Sequence, residues 1–304
     1  MQTSNVDGVN MGKQIGILLS DYDGTLCPTT SMRDNSNNGG IIPQVLEQIL
    51  FRISKRISIC ILSSKDFAFL HERARFAKIL SCILGIETII HNSHYDDSEI
   101  NNFECIKYRH LNISRHSLMD NSKLLHKVMK ILQNHNDISI EEKYTSDKEI
   151  LIGLTIDYRH LENWQSFKDN KEPMIREMIQ GSINANLAPN SPSKERPFIQ
   201  IYSSHPFLDI YGVECNKGLA FDNVHSHLEQ KERGTSVMYL GDSENDNPAF
   251  RKSDISIGIC SDTRLNPMLD CKYMLDFDQL PLFLMGLMDN DFIFSEDLLP
   301  SQAD

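Results

Sequence analysis

Ile15-Gly16-Ile17-Leu18-Leu19-Ser20-Asp21-Tyr22-Asp23-Gly24-Thr25 is the stretch that decides the fold. Ile15–Ser20 is short and nearly continuous in apolar character, as a parallel strand buried on both faces reads. It breaks abruptly into Asp21 and Asp23, and a polar loop, Thr29–Gly40, follows. Pro43 then opens a helix on which Val45, Leu46, Ile49 and Leu50 repeat at helical spacing. Arg56–Leu62 is a second strand-like run ending at Ser63 and Ser64, and a helix carrying Phe67, Leu70, Ala74 and Ala77 comes next. Strand then helix, repeated, is the grammar of a doubly wound α/β domain.

From about Tyr95 to Gly212 the grammar changes. Ser117–Asn134 reads as a helix, Ile138–Lys143 and Glu149–Tyr158 as strands, Asn163–Asn186 as a second helix, and Phe198–Ser203 and Phe207–Tyr211 as two more strands. The first pattern then resumes, with a helix over Lys217–Lys231 and strands at Val237–Leu240, Ile255–Cys260 and Lys272–Leu275. The expected architecture is therefore α/β, a doubly wound parallel sheet interrupted by an inserted α+β cap. The core is placed at 1–94 and 213–304 and the cap at 95–212.

Composition bounds the function from outside. The 304 residues carry a formal net charge of −12, which opposes nucleic acid and anionic membrane surfaces as partners. No apolar run approaches the roughly 20 residues that span a bilayer. Seven scattered cysteines, without a CxxC pair, read as reduced core residues of a cytoplasmic protein. Asn112-Ile113-Ser114 fits a glycosylation pattern by chance only. The oligomeric state stays open, a monomer being compatible with everything in the sequence.

Chemistry gathers where the strands end, which is where open parallel sheets bind ligands. Two carboxylates two residues apart after the first strand, Asp21 and Asp23, suit phosphoryl transfer: one can attack phosphorus while the other gives a proton to the leaving oxygen. Gly24 permits a tight turn beside a crowded phosphate. Asp242-Ser243-Glu244-Asn245-Asp246 follows a later strand, and helix capping explains one acidic residue there but not three in five positions. Asp21 and Asp242 are suited to a hard cation such as Mg²⁺, with Asp246 acting through a bound water. The hydroxyl of Ser63 can donate to a phosphoryl oxygen, and Lys217, opening a helix, can neutralise its charge.

In this order and at these element ends, the four motifs resemble those of the haloacid-dehalogenase (HAD) superfamily. The resemblance implies an aspartyl-phosphate formed on Asp21, with Asp23 as general acid and then base, and Ser63 and Lys217 on the phosphoryl group. It also implies Mg²⁺ held by Asp21, the Asp23 carbonyl and Asp242, with Asp246 in support.

A narrower resemblance, to trehalose-6-phosphate phosphatases, rests on Asp21–Pro28, Glu142-Lys143 and Tyr158-Arg159. It implies sugar recognition by Glu142, Lys143 and Arg159 on the cap, with Lys65 and Asn245 also touching substrate. If the two charged cap strands pair as a hairpin, their ends are expected to lie apart, leaving one pair at the site. The sequence departs from that family at Ser63-Ser64-Lys65, where Ser-Gly-Arg is usual, at Asp209-Ile210-Tyr211-Gly212, and at His91-Asn92-Ser93-His94. Its last motif looks more like sucrose-phosphate and mannosyl-3-phosphoglycerate phosphatases. The implied substrate is a small sugar phosphate, trehalose 6-phosphate first. A related sugar phosphatase, a phosphomutase and a non-catalytic sugar-phosphate sensor are the alternatives.

Overall fold

The computed structural model describes residues 12–28, 40–91, 103–107, 114–186, 195–203, 205–228, 234–260 and 267–299. The loop expected at 29–39, the turn at 92–94, Asn112 and the helix end at 229–231 lie outside them.

Strand β1 (Lys13–Ser20) is the axis of the larger sheet. On one side it pairs in parallel with β2 (Ser58–Leu62), which pairs with β3 (Ile79–Cys82). On the other side it pairs in parallel with β10 (Ser236–Gly241), followed by β11 (Ile255–Cys260) and β12 (Tyr273–Asp276). Two antiparallel strands, β4 (Glu87–His91) and β5 (Phe103–Lys107), extend the β3 edge, and the two-residue β13 (Ile293–Phe294) pairs with the start of β1. Strand β5 falls inside the span 95–212 expected for the cap, yet it belongs to the larger sheet.

Alternation along the strands distributes apolar side chains to both faces. In β2, Ile59 and Ile61 join one core cluster while Cys60 and Leu62 join the other. The first cluster is covered by α1 (Gln44–Ser54) and by α8 (Leu280–Asp289), a helix the sequence reading missed. Leu46, Ile49, Leu50 and Ile53 form the buried stripe of α1 at i, i+3, i+4 and i+7. The second cluster is covered by α6 (Lys217–Leu228) and the short α7 (Asn247–Phe250). Helix α2 (Phe67–Arg73) lies between β2 and β3, with the Asp66 carboxylate capping its first turn.

The second sheet is wholly antiparallel, in the order β6 (Ser139–Tyr144), β7 (Leu151–Asp157), β9 (Phe207–Tyr211), β8 (Phe198–Ile201). Its apolar face packs Leu154, Ile156, Leu208 and Ile210 against α3 (Arg115–Leu132) and α5 (Glu172–Asn186). The helix expected over 163–186 is two helices, α4 (Trp164–Asn170) and α5. Pro173 marks the break: at the second position of α5 it donates no amide hydrogen to the Asp169 carbonyl, which a continuous helix would need. No described helix is long and apolar enough to cross a membrane.

Leu50 is fully buried where α1 meets the sheet. Leu50→Ala should cost about 2–5 kcal/mol of stability through lost transfer energy plus a cavity. Urea unfolding should show a lower midpoint with an unchanged slope.

Candidate active site

The carboxyl ends of β1, β2 and β10 converge, and the residues immediately beyond them meet the polar face of the second sheet across one cavity. Asp21, Asp23, Lys65, Lys217, Asp242 and Asn245 line it from the larger sheet's side. Glu141, Lys143, Thr155, Arg159 and Asp209 line it from the other.

At its floor is a buried charge cluster. The Lys217 ammonium lies 2.8 Å from Asp21 Oδ2 and 2.6 Å from Asp246 Oδ1. Lys217 begins α6, where the helix dipole disfavours a cation, so these carboxylates are what hold it there. Asp246 also accepts a hydrogen bond from the Tyr239 hydroxyl at 2.5 Å, and its Oδ2 accepts from the backbone of Asp242 and Ser243 and from the Ser243 hydroxyl. One oxygen each of Asp21, Asp242 and Asp246 lies within 4.8 Å of the others. Gly24, at φ +81°, makes room: a Cβ there would sit 1.8 Å from Asp242 Oδ2.

Electrostatics favour a cation at this cluster. Burial, with Asp246 adding to it against the pull of Lys217, pushes the Asp21 carboxyl up to about 7. Burial and then Asp21 raise Asp242 well above the usual carboxylate range. The Lys217 ammonium is opposed by burial, but Asp21 and Asp246 outweigh it and raise its pKa. Three carboxyl groups lie close together, only Asp21 and Asp246 in contact with the Lys217 ammonium, and this all-oxygen set fits the demands of Mg²⁺. Asp21, Asp242 and Asp246 would hold it, directly or through water.

Ser63 is buried and its Oγ accepts from the Lys65 amide at 3.1 Å; of the two serines after β2 it is Ser64, not Ser63, that lines the cavity. A tight turn after β3 grips this loop, the Leu84 amide donating to the Ser63 carbonyl at 2.9 Å and the Ile83 amide to that of Lys65 at 2.9 Å. Ile83 and Leu84 both have positive φ, 48° and 54°, a strained backbone for such side chains that the packing imposes. The Lys65 ammonium then reaches Glu141 at 2.8 Å and Asp23 Oδ2 at 3.9 Å. Burial opposes charge on both Lys65 and Glu141; Asp23 and then Glu141 outweigh it and raise Lys65, while Lys65 and then Lys143 bring Glu141 down to about 2.

Glu142 does not reach the site. Successive residues of a strand point to opposite faces, so Glu142 and Lys143 cannot both face the cavity. Glu142 is exposed on the helix side of edge strand β6 and accepts from the Tyr144 hydroxyl, while Glu141 shares the cavity face with Lys143. The two-residue spacing of Glu141 and Lys143 was the available signal. Lys143 is itself committed: its ammonium lies 3.4 Å from Asp209, which also accepts from the hydroxyls of Thr155, Tyr202 and Tyr211. Arg159 pairs with Asp157 at 2.6 Å and lies over the Phe207 ring. Strands β6 and β7 do form a hairpin, yet Lys143 and Arg159 line the same cavity, because long side chains from both ends of one face reach it.

The molecule can be compared with known proteins on this geometry. No family model matches the sequence, and no curated protein matches it. Among solved structures, the C-terminal domain of a trehalose-6-phosphate phosphatase from C. albicans superposes with a TM-score of 0.60 at 17% identity, covering 91% of this chain and 93% of that one. A trehalose-6-phosphate phosphatase related protein gives 0.56 at 14% identity, covering 90% and 97%. A phosphatase of the haloalkanoate (HAD) superfamily from Bacteroides thetaiotaomicron gives 0.53 at 14% identity, covering 96% and 100%. The fold is that of the HAD phosphatases. Nearly the whole chain shares it, including the inserted sheet.

Without a cation, burial keeps a proton on Asp21 below about pH 7, and that proton must leave before a cation can bind. Mg²⁺ affinity, measured by calorimetry, should therefore weaken as pH falls below about 7, by up to roughly tenfold per unit if one proton is displaced. A flat profile between pH 5.5 and 8 would show that these carboxyls do not bind the ion.

Proposed function

We propose that the protein is a Mg²⁺-dependent phosphomonoesterase acting on a sugar phosphate through an aspartyl-phosphate on Asp21, with trehalose 6-phosphate the leading substrate. The observation that carries this reading is the single cavity in which Asp21, Asp23 and Lys217 face Glu141, Lys143 and Arg159. A phosphate-handling floor and a hydroxyl-reading roof are what an ester of a polyol needs. The likeness to phosphatases of this fold supports the same class.

Mg²⁺, when bound, adds positive charge beside the phosphoryl group and lowers the barrier to anionic attack. Lys217 holds Asp21 Oδ2, leaving Oδ1 as the attacking oxygen. Asp21 forms its bond to phosphorus as the bond to the sugar oxygen breaks, and Asp23 delivers a proton to that oxygen so that the sugar leaves as an alcohol. Asp23 is suited to carry the proton, since its buried Oδ1 has no hydrogen-bond partner among the described residues. Water then attacks the acyl-phosphate, Asp23 takes its proton, and phosphate departs with the Asp21 carboxylate restored. Lys217 stabilises the phosphoryl oxygens throughout, and Ser64, not the buried Ser63, is the hydroxyl after β2 that lines the cavity beside it. The face of the second sheet excludes bulk water while Lys65, Glu141, Arg159 and Asn245 meet the sugar.

Phosphate release across a panel of sugar phosphates, including trehalose, sucrose and mannosylglycerate esters, tests the class. Activity should vanish in excess chelator and in a folded Asp21→Asn protein, because an amide is a far poorer nucleophile. More than trace turnover in either case would sink the mechanism.

Sugar reading has a separate test. Arg159→Ala and Glu141→Gln should lower kcat/KM for the best sugar phosphate about tenfold or more, corresponding to about 1.4 kcal/mol. Hydrolysis of p-nitrophenyl phosphate, which offers no sugar hydroxyls, should change much less. Equal losses on both would mean that these side chains support closure and not recognition.

A further inference from the structure

A second cavity, of about 280 Å³, lies at the other end of the larger sheet. Strand β2 connects the two places: Ser58 begins the strand at this cavity, and Ser63 follows its end at the candidate active site. Five residues at ~3.3 Å each put them roughly 17 Å apart.

The lining is basic. Lys55 and Arg56 come from the residues after α1, Arg75 and Lys78 from those after α2, and His91 from the end of β4. Among the described residues no Asp or Glu lines the cavity. Arg56 is partly committed, pairing with Asp291 at 2.7 Å, donating to the Met288 carbonyl and lying over the Phe292 ring. Lys78 donates to the Ser58 hydroxyl at 2.8 Å. Lys55 and Arg75 are exposed, and no carboxylate among the described residues pairs with either.

Charge balance at helix ends explains part of this. A cation after a helix carboxyl end gains about 0.3–1 kcal/mol from the dipole, which suits Lys55 or Arg75 taken singly. It does not explain why cations from two helix ends converge on one concave surface, where they repel one another, in a chain of net charge −12. A multivalent anion would relieve that repulsion.

We propose that this cavity binds a small multivalent oxyanion, inorganic phosphate or a phosphate ester, independently of the candidate active site. It binds without cleaving: the described lining offers serine hydroxyls but no carboxylate to act on them or on water. The burial of His91, with His71 beside it, lowers its imidazole pKa to about 4, leaving a neutral ring at the cavity wall.

The test is isothermal titration of the full chain with inorganic phosphate, pyrophosphate and glucose 6-phosphate in excess chelator. Any binding at the other site is common to the wild type and the variants, so the loss caused by the Lys55 and Arg75 substitutions reports this cavity alone. The wild type should bind about one equivalent, and the Lys55→Glu/Arg75→Glu protein at least tenfold more weakly. Lys55→Gln/Arg75→Gln, which adds no negative charge, should give a smaller loss and guards against misfolding of the first variant. Tighter binding of inorganic phosphate or pyrophosphate would identify a free oxyanion as the ligand, and tighter binding of glucose 6-phosphate an ester. Failure of all three anions to bind the wild type at millimolar concentration, or undiminished binding by both folded variants, would overturn the proposal. Neither result bears on phosphate release at Asp21.

Discussion

The buried ammonium of Lys217, held between Asp21 and Asp246, is the interaction on which the arrangement of the site depends. It ties the end of β1, the start of α6 and the turn after β10 into one electrostatic unit. A buried ion pair is weak evidence for stability, since desolvation offsets much of the attraction. Here the surplus of acid over base makes the stability argument weaker still. Burial raises Asp21 and Asp242 above their ordinary range, because the metal-free site disfavours full ionisation of its carboxyls. Such groups cluster where chemistry needs them. The Asp246 carboxylate, fully buried and saturated with donors from Tyr239, Ser243 and the backbone, keeps the cluster in place.

The second sheet completes the site by having two unlike faces. One is apolar and packs on α3 and α5; the other carries Glu141, Lys143, Thr155 and Asp209. Asp209 is buried with four partners, which holds Lys143 and the neighbouring tyrosine hydroxyls in a polar network instead of leaving the ammonium free. Polar links join the two sheets' regions: Lys65 with Glu141, Glu87 with the amide and hydroxyl of Ser146, and Glu244 with Ser203. Apolar contacts join them as well, since Leu118, Ile152 and Tyr211 belong to the buried cluster of the larger sheet.

Local sequence order was enough to bring the acidic cluster and its lysine to notice. A continuous apolar run that ends in Asp-x-Asp, a later one that ends in Gly-Asp, and a lysine opening a helix all report where a parallel strand or a helix stops. Residues at such ends gather because the sheet is parallel, so Asp21, Lys217, Asp242 and Asp246 could be named before any contact was known. The alternation of strand and helix likewise announced the doubly wound sheet and the change of pattern that becomes the second sheet. Short strands on the β3 side of the sheet were less legible. Strands β3, β4 and β5 and helix α8 went unread, and β5 shows that the larger sheet continues past residue 95.

What only the tertiary structure decided is which side of each cap strand faces the cavity. Glu141 and Glu142 are adjacent, equal in chemistry and indistinguishable by composition; a one-residue change of register exchanges them. The pairing of Glu141 with Thr155, and of Thr155 with Asp209, sets that register, and the apolar residues between them are drawn to α3 and α5. The basic cavity at the far end of β2 is likewise a product of folding, since Lys55 and Arg75 are 20 residues apart in the chain and meet only because two helices end on the same edge of the sheet. Strand-end chemistry is a property of the local chain, whereas the facing of a strand and the convergence of distant charges are set by what packs against them.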